Sequence, residues 1–128
     1  MRTRYADLFE ALSDPDPERA DRAFDAILFD RAEALPELTE CYKSAKRNAR
    51  LRYLVIQLMG FADSTDAIPT IVDATNDPHP IVRAEACRAL EDLIASDHLA
   101  VLEERLNDLD GRVRLAAKEA IENIKEAH

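Results

Sequence analysis

The sequence predicts an all-α protein, an α-solenoid of about four helical hairpins with eight helices. Three observations carry that expectation. Ala, Leu, Arg, Glu and Ile are abundant, while the 128 residues include two glycines and no tryptophan. That composition favours helix and cannot supply the turns of a multi-stranded β protein. Apolar residues recur at a 3.6-residue period: Val82, Ala86, Ala89, Leu90 and Leu93 fall on one stripe. Finally, Asn76-Asp77 and Val82-Arg83 return as Asn107-Asp108 and Val113-Arg114 at an offset of 31, followed by Ala86/Ala117, Ala89/Ala120 and Leu90/Ile121. A fixed period of this size marks a stack of supersecondary units, none of which can bury its apolar face alone.

Each unit reads as helix A, a tight turn and helix B, and the whole chain, 1–128, as one domain. In the first unit (about 3–29), Tyr5, Leu8, Phe9 and Leu12 give an amphipathic helix over 3–13. Pro15 and Pro17 end it and open a second over 17–29, where Ala23, Ala26 and Ile27 match Ala86, Ala89 and Leu90 at an offset of 63. The second unit (32–61) has helices over 32–46 and 48–61. Ala34-Leu35-Pro36-Glu37-Leu38 matches Ala67-Ile68-Pro69-Thr70-Ile71 at an offset of 33, and Leu51-Arg52, Val55, Leu58 and Met59 repeat the helix B pattern. The third unit (66–95) spans 66–76 and 79–95, with Pro78 and Pro80 in its turn. The fourth (97–126) spans 97–108 and 111–126, with Ser96 or Asp97 as the expected cap and Gly111 relieving the turn.

These residues resemble the HEAT-repeat family. Pro69, Asp77, Val82 and Arg83 reproduce its spacing of a helix A proline, a turn aspartate and Val-Arg opening helix B. Asp108, Val113 and Arg114 repeat it with Ala100 in place of the proline, and the second unit keeps Pro36 and Arg52. Within that class the chain looks most like the short phycobilisome-lyase-type repeats. The resemblance implies an inter-repeat ladder in which Asp77 and Asp108 pair with an arginine of their own or the next repeat. It implies a function in protein binding, as an adaptor, regulator or inhibitor. The alternatives are a lyase-type enzyme or enzyme subunit, such as a bilin lyase component, and a structural homo-oligomer.

The chemistry-bearing residues support no catalytic site, metal or cofactor. Deoxyhypusine hydroxylase, also built of HEAT-like repeats, holds iron on His-Glu pairs. Here Ala84 precedes Glu85, and the equivalent pairs are Tyr53-Leu54 and Leu115-Ala116. His79, His98 and His128 share no ligand spacing. Ser13, Ser44, Ser64 and Ser96 lie at expected helix ends, where capping accounts for them. Cys41 and Cys87 sit beside alanines and read as small core residues of a reducing cytoplasm.

The formal charge of −9 is unevenly spread: residues 1–40 carry −6, residues 41–62 carry +5 and residues 63–128 carry −8. The acidic flanks argue against nucleic acid as a partner. Apolar runs such as Leu54–Met59 are too short to cross a membrane, and Asp7 and Glu10 interrupt any leader-like stretch. The expected location is the cytoplasm, the expected partner another protein, and the expected state a monomer or weak homodimer. Lys43, Lys46, Arg47 and Arg50 form a basic cluster at the second unit's turn, a candidate rim for an acidic partner, with Arg52 assigned to the ladder. At 100° per residue, Tyr53 and Gln57, Ala84 and Arg88, and Leu115 and Glu119 point away from the core stripe of their helices. They are the candidate partner-binding residues, with Tyr53, Ala84 and Leu115 as an apolar line along a concave face.

Overall fold

Prolines, turn aspartates and left-handed turn residues punctuate the chain into hairpins. The computed structural model describes residues 5–127. In order these form α1 (Ala6–Ala11), α2 (Pro17–Phe29), α3 (Arg31–Ser44), α4 (Ala49–Gly60), α5 (Ile68–Ala74), α6 (Pro80–Asp92), α7 (Leu99–Arg105) and α8 (Gly111–Glu126). The first part of the helix expected over 3–13 lies outside the described residues. Among those described there is no strand, and no helix is long and apolar enough to cross a membrane.

One local device opens three of the four second helices. Asp14, Asp77 and Asp108 each accept the N–H two residues on, from Asp16 (2.8 Å), His79 (2.9 Å) and Asp110 (2.9 Å). Those second residues then cap the helix: Asp16 accepts from the Glu18 N–H, His79 Nδ1 from Ile81 and Asp110 from Arg112. Two successive side-chain turns thus satisfy N–H groups that the helix leaves unpaired. In the second unit Asn48 caps α4 through the Leu51 N–H instead.

The first helices of units three and four are shorter than the periodicity predicts. Each begins as a 3₁₀ turn, Thr65–Ala67 and Ser96–His98, before the α-helical part. Asp63 and Ile94, 31 residues apart, take left-handed backbone (φ 54° and 49°) and turn the chain into these segments. The Ala95 N–H then bonds back to the Leu90 carbonyl. Neither Ser96 nor Asp97 caps α7, contrary to expectation. The tight reversal at Ile94 spends the Ser96 N–H on the Ile94 carbonyl, and the 3₁₀ turn replaces a capped start.

The second helices α4, α6 and α8 lie side by side, with α3, α5 and α7 each packed against its own partner. Ile56, Met59, Ile71, Val82, Leu90, Leu102, Val113 and Ile124 are fully buried between them. Each such side chain contributes about 1.5–3 kcal/mol on leaving water. Small residues set the spacing of the second helices. A Cβ on Gly60 would lie 2.9 Å from Ala89 Cβ and 3.0 Å from Ala89 Cα, closer than packed carbons approach. Gly60→Leu therefore forces α4 and α6 apart and should cost about 1–3 kcal/mol, as overpacking does. Urea unfolding checks this, and a midpoint equal to wild type would show that the helices can separate freely.

Candidate interaction groove on the second helices

A salt-bridged frame fixes the rotation of α4 and α6. Arg52 grips Asp77 with Nε at 2.9 Å and Nη2 at 3.1 Å, while its Nη1 donates to the Ala45 and Lys46 carbonyls, 2.9 Å each. Arg83 repeats this on Asp108, at 2.9 and 3.1 Å, with Nη1 on the Asp77 and Pro78 carbonyls. The ladder runs opposite to the expected direction. Each turn aspartate pairs with the arginine of the preceding repeat, 25 residues earlier, because the first turn of a second helix aims its arginine forward into the next hairpin's turn. Arg114 anchors Nη1 on the Asp108 carbonyl at 2.6 Å in the same way, but its Nε and Nη2 meet no acceptor among the described residues.

Asp77 also accepts from Tyr42 Oη at 2.8 Å, and Asp108 from Arg105 Nη1 at 3.4 Å. Burial alone would raise the Asp77 pKa, but hydrogen bonds from Arg52, the His79 N–H and Tyr42 outweigh burial and hold it below the usual carboxylate range. The same balance lowers Asp108, through Arg83 and the Asp110 N–H. Burial pushes the Cys87 thiol up to about 12 and the Cys41 thiol up to about 11, so neither is a ready nucleophile at neutral pH.

With α4, α6 and α8 so held, their outer faces enclose an open groove of about 630 Å³. Tyr53, Gln57, Ala84, Arg88 and Glu119 all line it, together with Arg50 from the basic cluster. Arg50 lies over the Tyr53 ring, 5.3 Å from its centroid. Two placements differ from expectation. Leu115 is 57% exposed but does not line the groove, and Ala84 is 3% exposed, part of the floor rather than a protruding contact. The outward apolar line through Tyr53, Ala84 and Leu115 is therefore broken: the close approach of the second helices covers the small central residue. Lys43 in the last turn of α3, and Lys46 and Arg47 on the turn before α4, are exposed and do not line the groove.

The groove also takes in Glu91, which shares the outward angle of Ala84 and Arg88, and gathers three charged groups that the outward-angle argument missed: Glu85, Asp92 and Arg112. Glu85 is buried beside the apolar stripe and bonds to Arg88 at 3.0 Å, an i,i+3 spacing visible in the sequence. Burial raises its carboxyl pKa, with Arg88 opposing. Asp92 is also raised by burial, and then by neighbouring Glu91. A carboxyl raised on folding stabilises the fold below its unfolded pKa and loses that contribution as pH rises through the folded value. Glu85→Gln removes the loss. Its stability relative to wild type should therefore increase as pH rises above the usual glutamate range. Parallel thermal melts decide this, and a pH-independent difference would contradict it.

Comparison with known proteins fits this architecture. The family profile described as HEAT repeats matches residues 44–122, more than half of the chain. A solved structure titled the complex of CpcE and CpcF of phycocyanin lyase from Nostoc sp. PCC7120 resembles it at a TM-score of 0.56 and 16% identity. The match covers 98% of this chain and 66% of the solved one, so the likeness is one of fold and this chain spans less than two thirds of that neighbour. No curated protein matches the sequence. By its repeated turn aspartates, its arginine ladder and the matched span, this chain belongs to the HEAT-repeat family.

Proposed function

We propose that the protein is a protein-interaction module that receives a partner segment in the groove across α4, α6 and α8, serving as an adaptor, regulator or inhibitor. One observation carries the reading: an aromatic anchor, Tyr53, sits in a groove of about 630 Å³ between arginines (Arg50, Arg88, Arg112) and carboxylates (Glu85, Glu91, Asp92, Glu119). Interfaces take most of their energy from aromatic and arginine anchors, with surrounding charge setting register. Both signs of charge line the groove, which suits a segment carrying both, such as an amphipathic helix laid along it. Lys43, Lys46 and Arg47 stand beyond its edge, where they steer an acidic flank of the partner. The solved CpcE–CpcF structure is a complex of two proteins, in keeping with an interaction role for the fold.

A photo-crosslinking residue at Gln57, on the groove wall, tests the proposal in cells of origin. The expected result is a discrete protein adduct that disappears when Tyr53 is also replaced by alanine, with none from the same crosslinker at exposed Glu103 on α7. Equal adducts from both positions, or an adduct indifferent to Tyr53, would overturn it.

A further inference from the structure

The groove is unevenly charged along its length. Its three helices run parallel. Arg52 and Arg83 tie their starting ends to Asp77 and Asp108, Gly60 at the end of α4 packs on Ala89, and Asn123 donates to Glu91 at 3.1 Å near the ends of α8 and α6. Arg50 and Arg112 therefore line the groove at the helices' first turns, and Glu91 and Asp92 line it at the far end. From Arg50 to Gly60 the helix rises about 15 Å. Asp110 answers Arg112 at 3.0 and 3.1 Å, whereas no carboxylate among the described residues pairs with Arg50.

The far end has the opposite excess and a place for a cation. Glu85 lies on the groove floor with 7% of its side chain exposed. Arg88 bonds to its Oε2 at 3.0 Å, and among the described residues no donor reaches Oε1. Asp92 stands near enough that its charge adds to the burial that raises the Glu85 carboxyl, with Arg88 opposing. Asp92 is exposed, meets no hydrogen-bond donor or cation among the described residues, and lies against Gly60, where a Cβ would be 3.5 Å from its Oδ2. Phe61, 39% exposed, follows Gly60 on the groove wall. Arg31, in the adjoining depression with Asp92, is spent on the Leu28 carbonyl at 3.1 Å and on Asp63 at 3.7 Å. Carboxylates thus outnumber cations at this end, and the C-terminal ends of α4 and α6 add partial negative charge.

We infer that the groove selects its partner segment by an arginine, which enters this end between Glu85 and Asp92 with its guanidinium against Phe61. The inference rests on the groove being the partner site. A guanidinium is planar and donates in a fork, so it serves two carboxylates while its face lies on an aromatic ring. Glycine at position 60 leaves the end of α4 open beside it. Two carboxylates suit a side-chain cation better than a metal ion: among the described residues no group of three or more His, Cys, Asp or Glu converges to hold one. The first-turn end, where Arg50 stands free, repels the same side chain. The place of the arginine in the segment therefore sets the direction in which the segment lies along the groove.

Two-dimensional NMR of isotope-labelled protein, titrated at matched salt with acetylarginine amide and with acetylcitrulline amide, tests this without a partner. The citrulline compound keeps the shape and lacks the charge. Acetylarginine amide should shift the Gly60, Phe61 and Asp92 amides saturably. Acetylcitrulline amide should bind at least about tenfold more weakly, the scale of one charge-assisted hydrogen bond. Glu85→Gln combined with Asp92→Asn should weaken acetylarginine amide by a similar factor. Both changes keep side-chain size, and circular dichroism should show wild-type helix content. An unresponsive wild type, equal binding of the two compounds, or a double variant that binds like wild type would each overturn the inference. The Gln57 crosslinker separates it from the groove reading. An undiminished adduct in the double variant overturns the arginine pocket and leaves the groove, whereas no adduct at all, with acetylarginine amide still bound, overturns the groove's partner role and not the pocket.

Discussion

Asp77→Ala is expected to be among the most destabilising single substitutions in the protein, at about 3–5 kcal/mol, the scale for breaking a buried ion pair from one side. Removing the carboxylate strands the Arg52 fork, whose side chain is 9% exposed, and also frees Tyr42 Oη and the His79 N–H. The arginine side gives a graded series. Arg52→Ala should cost most. Arg83→Ala should cost less, because its side chain is 16% exposed and Asp108 keeps Arg105 at 3.4 Å. Arg114→Ala should change stability by no more than about 0.5 kcal/mol, as for surface substitutions that break no buried contact. Urea unfolding at neutral pH orders the series. Equal losses at 52, 83 and 114 would mean that the arginines act through their local carbonyls and not across repeats. Because Asp77 and Asp108 have lowered carboxyls, their contribution is present above the unfolded carboxylate pKa and fades as pH falls through the folded values.

Tyr53→Ala is expected to weaken partner binding by about 2 kcal/mol or more, roughly thirtyfold, with little effect on stability. The ring is half-buried, packs on the core from the groove side and holds Arg50 over its face. Its loss therefore removes apolar contact area and the surface that orders a charge. Charge reversal at Arg47, exposed and outside the groove, should instead slow association and reduce its salt dependence, because rim charges steer more than they hold. Surface plasmon resonance at two salt concentrations separates the effects. Unchanged affinity in a folded Tyr53→Ala variant would move the partner to another face, such as the edge where Phe29 and Ile94 are exposed at the ends of the second helices.

Much of this architecture was legible in the sequence because repetition writes it three times over. Val82, Val113 and the Ala/Leu stripe mark the second helices, and the α8 bounds agree with the periodicity. The starts of α5 and α7 were not legible. A 3₁₀ turn preserves much of the apolar pattern while changing the hydrogen bonding, and a left-handed isoleucine such as Ile94 gives no local signal. The ladder's direction was hidden for a related reason. Asp77 and Arg83 stand six apart and read as a pair, whereas the true partner of Asp77 is Arg52, and only the stacking of hairpins brings it near. The groove was half visible. Outward angles found Tyr53, Gln57, Ala84, Arg88 and Glu119, but helix angle alone cannot show that the wall of one helix becomes the floor beside the next, which is how Glu85, Asp92 and Arg112 arrive.

The substitution of Ala20 and Lys46 for a rung leaves α2 joined to the rest through sparse contacts with α3 and α4 and no arginine clasp. A stack with one weak joint does not stretch evenly. Pulled from its ends, the chain yields first at that joint, and the leading hairpin peels away while the clasped hairpins behind it stay folded. The same joint sets the order of amide exchange: protection in α2 measures the detachment of one hairpin, and protection in α6 measures the unfolding of the whole.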